Sequence, residues 1–304
     1  DIIYNIMKNK KTNRLLQILA SLMEDSPNPN GNTEIKSYGL IACANRVSIR
    51  HVPIDSPCIL FILEGRKTMF NQGMEIVCDA GEVLTLPSPA SFDLRNEPDP
   101  QTGRYRTLVL PFKQSDLESV HKIHEFSQPT SDRFPEILKF EHNDLLLRAL
   151  QHYLSSDSED YLLNHRLLEL LLILAKEDSR LLNYSLSQES WSQKVRAFLA
   201  TDLSKKWEIS EICQRLAISE STLRRNLKNE QTGFRELLIE QRLSTALMLL
   251  LQTSLPITQI AFECGYQSAS RFSNNFNKRF GLSPSEFRSN VNENEHDLTV
   301  SEHS

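Results

Sequence analysis

The sequence predicts an α+β protein built in two parts. In residues 35–112, short apolar segments with alternating polarity are separated by turns that contain glycine, which is typical of the strands of a small barrel or sandwich. In residues 191–290, apolar residues recur at intervals of three and four, which indicates amphipathic helices. The predicted fold is an amino-terminal β-barrel with accompanying helices, followed by an all-α domain of two helix-turn-helix units joined by a long helix. The 304 residues are enough for both parts.

Charge is distributed unevenly along the chain. The whole sequence has 34 Lys and Arg against 39 Asp and Glu, a net charge of −5, which by itself argues against a nucleic-acid partner. Residues 190–290 nevertheless contain 14 basic and 9 acidic residues, a net charge of +5, so the remainder carries −10. This asymmetry is compatible with nucleic-acid binding by the second part. It is also compatible with an ordinary solvated surface.

The composition indicates a protein of a reducing, aqueous compartment. We see no signal peptide, and the richest apolar run, residues 167–175, is interrupted by Glu169 and is far shorter than the ~20 residues of a membrane span. We therefore expect a cytoplasmic protein without membrane association. The cysteines form neither a C-x-x-C pair nor a zinc-ligand spacing, and we interpret them as reduced core residues: Cys43, Cys58, Cys78, Cys213 and Cys264.

The amino-terminal part changes pattern three times along the chain. A short amphipathic helix is predicted at residues 13–25, and a loop rich in turn-forming residues follows at 26–32. The strands are predicted at residues 47–51, 58–63, 74–78, 82–87 and 104–112, with a surface loop at 96–103. Helices are then predicted at 145–154 and 161–176. The second of these is leucine-rich on nearly every face, so it needs burial on more than one side, either in the core of its own domain or in a dimer interface.

These patterns define the predicted domain boundaries. Residues 1–178 form a regulatory or dimerisation domain, residues 179–190 a linker, and residues 191–290 the helical domain. Residues 291–304 contain four acidic residues, no Lys or Arg and little apolar content, so we expect a disordered acidic tail.

One helix-turn-helix unit is predicted near the carboxyl terminus. An apolar stripe at Ile257, Ile260 and Ala261 predicts its first helix, and Gly265 supplies the residue that adopts a positive φ at the turn. Phenylalanines at helical spacing predict the second helix, with polar and basic residues on its opposite face. The segment 283–286, Ser-Pro-Ser-Glu, is a capping box that begins a third helix. A second helix that is polar and basic outside is suited to the major groove of DNA.

An earlier unit repeats the same plan. Residues 209–218 predict a supporting helix, Ser219 is a good N-cap, and residues 220–229 predict a second helix with Leu223 and Leu227 facing inward. A helix at residues 234–251 joins the two units and would separate them by roughly 27 Å. Because one turn of DNA measures ~34 Å, the two second helices are predicted to enter successive major grooves on one face.

About 100 residues of the helical part resemble the AraC/XylS family of bacterial transcription regulators. The first unit is most similar to the enteric subset that controls virulence and acid-stress genes. The resemblance rests on motifs that occur in the family's order: Trp207-x-Ile-x-x-Ile, Ser-x-Ser-x-Leu223-Arg-Arg, Arg242-Leu-x-x-Ala246-x-x-Leu-Leu, Ile260-Ala-x-x-x-Gly265-Tyr and Phe276-x-x-x-Phe-Gly-x-Ser-Pro284-x-x-Phe-Arg.

The resemblance implies specific DNA-binding residues. Arg can bridge guanine O6 and N7, Asn can pair with adenine, and an alanine can at most touch a thymine methyl. The base-reading positions implied are Ser221, Arg224, Arg225, Ala269, Ser270, Arg271 and Asn274. The expected phosphate contacts, which position the protein without specifying sequence, are Lys228, Lys278 and Arg279. Ordinary solvation remains the alternative interpretation for each of these side chains.

The strands of the amino-terminal part resemble the cupin-type barrel that often precedes this DNA-binding domain. In the family that barrel binds a small effector or helps to form a dimer. The H-x-H and paired-carboxylate spacing of metal cupins is missing. His51 stands alone on its predicted strand, and we interpret it as structural. We therefore expect no metal, no cofactor and no catalysis. Arg46, Arg50 and Lys67 are either anion partners or part of a solvated face, and no ligand-lining residue can be assigned.

The sequence therefore predicts a sequence-specific transcription regulator that binds double-stranded promoter DNA. The resemblance implies an activator that contacts RNA polymerase, and control through the first domain by a small effector, by dimerisation or by a regulatory protein. The alternative is a DNA-associated enzyme, an alkyltransferase or a barrel oxygenase with an attached AraC-type domain. That alternative needs a reactive cysteine or metal ligands, and the sequence motifs contain neither.

Overall fold

The computed structural model describes residues 38–71, 73–123, 136–141, 144–155, 162–185 and 190–292. The helix predicted at 13–25, the loop at 26–32 and nearly all of the predicted acidic tail lie outside the described residues. The chain divides into two units, for the most part before and after residue 187. A β-rich amino-terminal unit is followed by a helical one, so the predicted fold class is confirmed.

Two antiparallel sheets make up the strands of the first unit. One sheet has the order β1-β8-β3-β6-β9 and the other the order β2-β7-β4-β5. The more specific likeness to a cupin barrel stays a prediction. The strands of the described residues are β1 (Gly39–Cys43), β2 (Val47–Ile54), β3 (Cys58–Glu64), β4 (Arg66–Asn71), β5 (Met74–Asp79), β6 (Glu82–Leu86), β7 (Ala90–Glu97), β8 (Tyr105–Pro111) and β9 (Leu138–Glu141).

Strand β3 is the centre of the five-stranded sheet. It pairs with β6 on one side and β8 on the other, and all seven of its residues are buried. This continuous apolar run is typical of a strand covered on both faces. On one face, Ile59, Phe61 and Leu63 belong to the core that also contains the helices of the unit.

The helices of the first unit cover that face of the sheet. They are α1 (Gln114–Ile123), α2 (Asp144–Leu154) and α3 (Leu163–Glu177). The leucine-rich α3 buries Leu170, Leu171 and Leu174 completely, while Leu168 and Leu172 are half-buried and pack against the same core. Burial within its own unit therefore accounts for much of its apolar surface, and a dimer interface stays a prediction.

The expected linker at 179–190 begins later in the structure than the sequence indicated. Ser179–Ser185 forms a 3₁₀ helix, and Leu181 and Tyr184 on it are fully buried in the core of the first unit. The Tyr184 hydroxyl donates to the backbone oxygen of Thr85 at 3.0 Å and is also bonded to the Glu136 carbonyl. These contacts join the segment to the sheet, so it belongs to the first unit.

Residues 190–292, which form most of the second unit, are folded as helices joined by short turns. The first helix of this segment ends at residue 199, and Asp202 then turns the chain by accepting bonds from the amides of Ser204 and Lys205 at 3.0 and 3.1 Å. The helices are α4 (Trp191–Leu199), α5 (Ile209–Leu216), α6 (Glu220–Asn229), α7 (Phe234–Gln252), α8 (Ile257–Glu263), α9 (Ala269–Phe280) and α10 (Pro284–Asn292).

Lys67 departs from the sequence expectation. It was expected on a solvated face or beside an anion, yet it is only 2% exposed. Its strand neighbours are Cys78 and Asn96, and its ammonium donates to Asn96 Oδ1 at 2.9 Å and to the Tyr105 hydroxyl at 3.5 Å. Burial without a carboxylate partner in the described residues lowers the pKa of Lys67 to about 8, because the charged form loses its hydration.

We expect Lys67→Met to stabilise the first unit. Below pH 8 Lys67 is charged in both the folded and the unfolded chain, so the folded state bears the full desolvation cost, up to ~3 kcal/mol. Because the folded pKa is lowered, wild type regains stability relative to the variant as pH rises from about 8 towards 10.5. Urea unfolding at several pH values between 7 and 10 measures this difference.

The buried thiols are present in both proteins, so their titration cancels in the comparison. The exposed Lys122, near the end of α1, gives a matched control, and Lys122→Met should change the free energy of unfolding by less than about 0.5 kcal/mol at any pH. A stability difference between wild type and Lys67→Met that is constant over this pH range would contradict the assignment.

Candidate nucleic-acid interface

The first helix-turn-helix unit consists of α5, a tight turn and α6. Ala217 adopts the left-handed conformation at the end of α5 (φ 53°), which turns the chain sharply. The Ser219 hydroxyl then accepts a bond from the Thr222 amide at 3.2 Å and caps α6, as predicted. Leu223 and Leu227 on α6 are buried in the core formed with α4 and α5.

The opposite face of α6 is exposed and mostly basic. Ser221, Arg224, Arg225 and Lys228 are all exposed there, on the side away from the buried leucines. The Arg224 side chain is 63% exposed and forms an ion pair with Glu220, one turn earlier, at 3.3 Å. An exposed pair of this kind is weak, so Arg224 can exchange its partner at little cost.

The second unit, α8 to α9, turns at Gly265. This glycine has φ +77°, and a Cβ placed on it would lie 2.2 Å from the Leu203 carbonyl oxygen and 2.6 Å from Arg242 Nη2. Only glycine therefore fits both the conformation and the space. Ser268 caps α9 by accepting from the Arg271 amide at 3.3 Å.

A chain of aromatic rings fixes α9 against its neighbours. Phe272, Phe276 and Phe280 are fully buried on one face of the helix. The ring of Phe276 lies 4.6 Å from that of Phe280 and 6.1 Å from that of Phe287 on α10, both in edge-on geometry. Such geometry orients the rings as well as burying them, so the aromatic contacts fix one face of the helix.

The remaining face of α9 carries the predicted contact residues. Ser270, Arg271, Asn274 and Lys278 are exposed, and Ala269 is half-buried. The structure thus gathers the predicted residues of each unit on one helix face, apart from Ala269, which lies on the same stripe as Phe272 and Phe276, and the phosphate contact predicted at residue 279. That arginine side chain is 24% exposed and pairs with a carboxylate on α7.

Helix α7 carries an arginine that joins the segment between α4 and α5 to the turn of the second unit. The Arg242 guanidinium donates from Nε to the Leu203 carbonyl at 3.1 Å and from Nη2 to the Lys205 carbonyl at 3.2 Å. The same guanidinium lies against the space next to Gly265 of the second unit. Partial burial lowers the pKa of Arg242, but a guanidinium stays protonated at neutral pH. The sequence contained Arg242 in a motif, and its role became evident only from these contacts.

The described cysteines have no reactive setting. All five are buried and free. Burial raises the pKa of Cys43 to about 11 and those of Cys58, Cys78 and Cys264 to about 12, so the thiols are protonated and poorly nucleophilic at neutral pH. In the part of the chain that the structure describes, no three His, Cys, Asp or Glu residues come together in a way that could hold a metal ion. Among these residues, no helix is long and apolar enough to cross a bilayer.

Two family models match the chain, one on each unit. A model described as the ExsA N-terminal regulatory domain matches residues 57–184, and a model described as a helix-turn-helix domain matches residues 212–290. Together they cover most of the sheet-and-helix unit and both helix-turn-helix units.

Named relatives match half of the chain. The HTH-type transcriptional activator CsvR of Escherichia coli is 33% identical over 153 residues, and the DNA-binding dual transcriptional regulator Rns of the same species is 35% identical over 153 residues. Each alignment covers 50% of this chain and 57% of the relative. The match therefore spans little more than half the length of these relatives.

Solved structures of ToxT from Vibrio cholerae share the fold over most of the chain. An apo form of a ToxT variant aligns with a TM-score of 0.65, at 18% identity, over 86% of this chain and 99% of that one. The unsaturated fatty acid-bound wild-type ToxT aligns with a TM-score of 0.62, at 17% identity, over 86% of this chain and 98% of that one. At this identity the likeness concerns the fold alone.

The fold and the two exposed helix faces define a helix-turn-helix protein with a separate amino-terminal unit. Both family models and the named relatives agree with the motifs quoted from the sequence. The helical unit is therefore similar to the helix-turn-helix domains of named transcription regulators, in keeping with the resemblance to the AraC/XylS family that its motifs carry.

We expect Gly265→Ala to destabilise the helical unit by about 3 kcal/mol, because it combines a positive φ with a collision against backbone and guanidinium. Trp191 and Trp207 are the chain's two tryptophans and both lie in this unit, so tryptophan fluorescence during urea unfolding monitors it.

A matched control for this substitution is Gly233→Ala in the same unit. An added Cβ there meets only the Glu236 side chain, at 3.5 Å, and the expected loss is about 1 kcal/mol or less, from a weaker helix cap. Equal losses for the two variants would show that the close approach at Gly265 is not a constraint.

Proposed function

We propose that this chain is a sequence-specific DNA-binding transcription regulator that acts as an activator, with α6 and α9 as recognition helices in successive major grooves. The observation that carries the proposal is the presence, in one unit, of two second helices that bury one apolar face and expose one polar, basic face. Helix α7 between them has 19 residues and is about 28 Å long, close to the ~34 Å of one DNA turn.

The proposed contacts fall into two classes. Exposed side chains with donor groups on the recognition helices read base edges, since arginine suits guanine and asparagine suits adenine. The base-reading group is Ser221, Arg224, Arg225, Ala269, Ser270, Arg271 and Asn274, with Ala269 limited to a thymine methyl. Lys228 and Lys278 are exposed at the later turns of their helices and hold phosphates, which position the protein without specifying sequence.

The partners follow from this activity. The principal one is double-stranded promoter DNA, and an activator must also contact RNA polymerase once it is bound. Both interactions place the protein in the cytoplasm. The alternative of a DNA-associated enzyme gains no support from the relatives, since CsvR is named an activator and Rns a dual regulator.

We propose that the amino-terminal unit controls DNA binding. The matching model is described as a regulatory domain, and the fold is shared with a ToxT structure that holds an unsaturated fatty acid. A small effector, a second copy of the chain or a regulatory protein are the three candidate inputs. Native mass spectrometry of the freshly purified full chain distinguishes them, because a retained small mass, a dimer and a co-purified protein differ in mass.

Selection from randomised duplexes tests the DNA-binding activity. The full-length protein should enrich a duplex with two short conserved boxes whose centres are separated by about one helical turn, ~10 bp. We call this selected sequence the two-box duplex. If the selection enriched no sequence over the random pool, that result would contradict the proposed function.

Arg225→Ala should weaken binding to the two-box duplex by ~1–3 kcal/mol and relax the preference at one base pair. The reason is that Arg225 is exposed on α6 and its guanidinium can bridge two acceptors of one guanine. Competition binding with single-base variants of the duplex measures both effects. An equal loss on every sequence would remove Arg225 from base readout.

Lys278→Ala should instead weaken binding to all duplexes and reduce the slope of log affinity against log salt by about one. A lysine that neutralises one phosphate displaces about one bound counterion, so its loss lowers the salt slope by about one. Such a contact carries no preference for a base. Titrations between 50 and 200 mM salt, on the two-box duplex and on a scrambled one, measure the slope. An unchanged slope would show that Lys278 does not contact phosphate.

A further inference from the structure

Three charged side chains from three helices meet in the middle of the helical unit. Glu240 lies on α7, in the helix that joins the two helix-turn-helix units. Its Oε2 accepts from Nη2 of Arg196 on α4 at 2.6 Å, and its Oε1 lies 3.7 Å from Nη2 of Arg279 on α9. The Glu240 carboxylate thus contacts two helices. One is α4, which packs against α5 and α6 of the first helix-turn-helix unit, and the other is α9, the recognition helix of the second unit.

The two contacts differ in kind. The contact with Arg196 is a short, charge-assisted hydrogen bond, the stronger class of such bonds. The contact with Arg279 is longer and mainly an attraction between charges. The side chains are partly buried, with exposed fractions of 21% for Arg196, 29% for Glu240 and 24% for Arg279, so the attraction is screened less than on an open surface.

The carboxylate also separates two like charges. Without the negative charge of Glu240, the guanidinium groups of Arg196 and Arg279 would both face the vacated position and repel each other. Since Arg279 lies in the last turn of α9, that repulsion would act on the end of the second recognition helix. The aromatic rings hold this helix on one face only, so its tilt depends on such a contact.

We infer that Glu240 is a positioning residue that fixes the orientation of the second recognition helix relative to the first helix-turn-helix unit. In this inference, Arg279 pairs with Glu240 and does not contact a DNA phosphate. The inference rests on the proposed function, because positioning has a consequence only if both helices read DNA together. The inference makes one prediction that the proposed function does not, namely which duplexes bind more weakly when Glu240 is replaced. Affinity for two boxes together should fall, and affinity for the first box alone should not.

Glu240→Gln tests the positioning role. We expect about fivefold weaker binding to the two-box duplex, and less than twofold change on a duplex with only the first box intact. The matched control is Glu236→Gln, since Glu236 is one turn earlier on α7 and exposed. It changes net charge equally and should leave both affinities within twofold of wild type.

Arg279→Gln tests the assignment of the arginine independently. A positioning role predicts an unchanged salt slope, and it predicts that the double variant Glu240→Gln/Arg279→Gln binds the two-box duplex no more weakly than Glu240→Gln, because the repulsion has been removed. A phosphate contact predicts a slope lower by about one and additive losses, which would overturn the inference. The Arg279→Gln slope decides the question even if Glu240→Gln does not fold.

The two possible failures are distinguishable. Wild-type protein that binds two-box and scrambled duplexes equally would refute the proposed function itself. Wild-type protein that discriminates between them, together with a Glu240→Gln variant that behaves like Glu236→Gln, would refute only the positioning role.

Discussion

The helical unit depends on one close approach, where the segment between α4 and α5 and the turn of the second helix-turn-helix unit meet around Arg242. Its guanidinium binds the carbonyls of Leu203 and Lys205 and leaves no room for a side chain at Gly265. Because one guanidinium donates to both carbonyls, the chain around residue 203 is tied to α7. The turn of the second unit is tied to it as well, since only glycine fits there. Helix α7 is therefore a connection to both units and not a flexible spacer.

The DNA-facing surfaces follow from the way in which the two recognition helices are anchored. Each recognition helix is anchored by one apolar face, leucines in α6 and phenylalanines in α9, so the opposite face is free to carry polar and basic groups. A net charge of −5 for the whole chain does not prevent this, because the local surface sets the field that DNA meets. The ion pairs around Glu240 join α7 to α4 and to α9, so they connect the second recognition helix to the rest of the helical unit.

Local signals predicted the helical unit well. The cap at Ser219, the turn at Gly265 and the capping box that begins α10 depend on neighbouring residues, and the structure has all three. Strands β1, β4, β7 and β9 and the burial of Lys67 were not predicted, because a short strand of mixed polarity is recognised only by its partners across the sheet. The contacts of Glu240 were missed for the same reason, since they join residues about 40 positions apart in sequence.

The central claim is that two recognition helices, held by one connecting helix, bind one face of the duplex at a fixed separation. Hydroxyl-radical footprinting of the full-length protein on the two-box duplex tests this most directly. The account predicts two protected windows about 10 bp apart on the same face of the DNA, appearing together as protein is added. A single window at saturation, or two windows that fill at different protein concentrations, would contradict it.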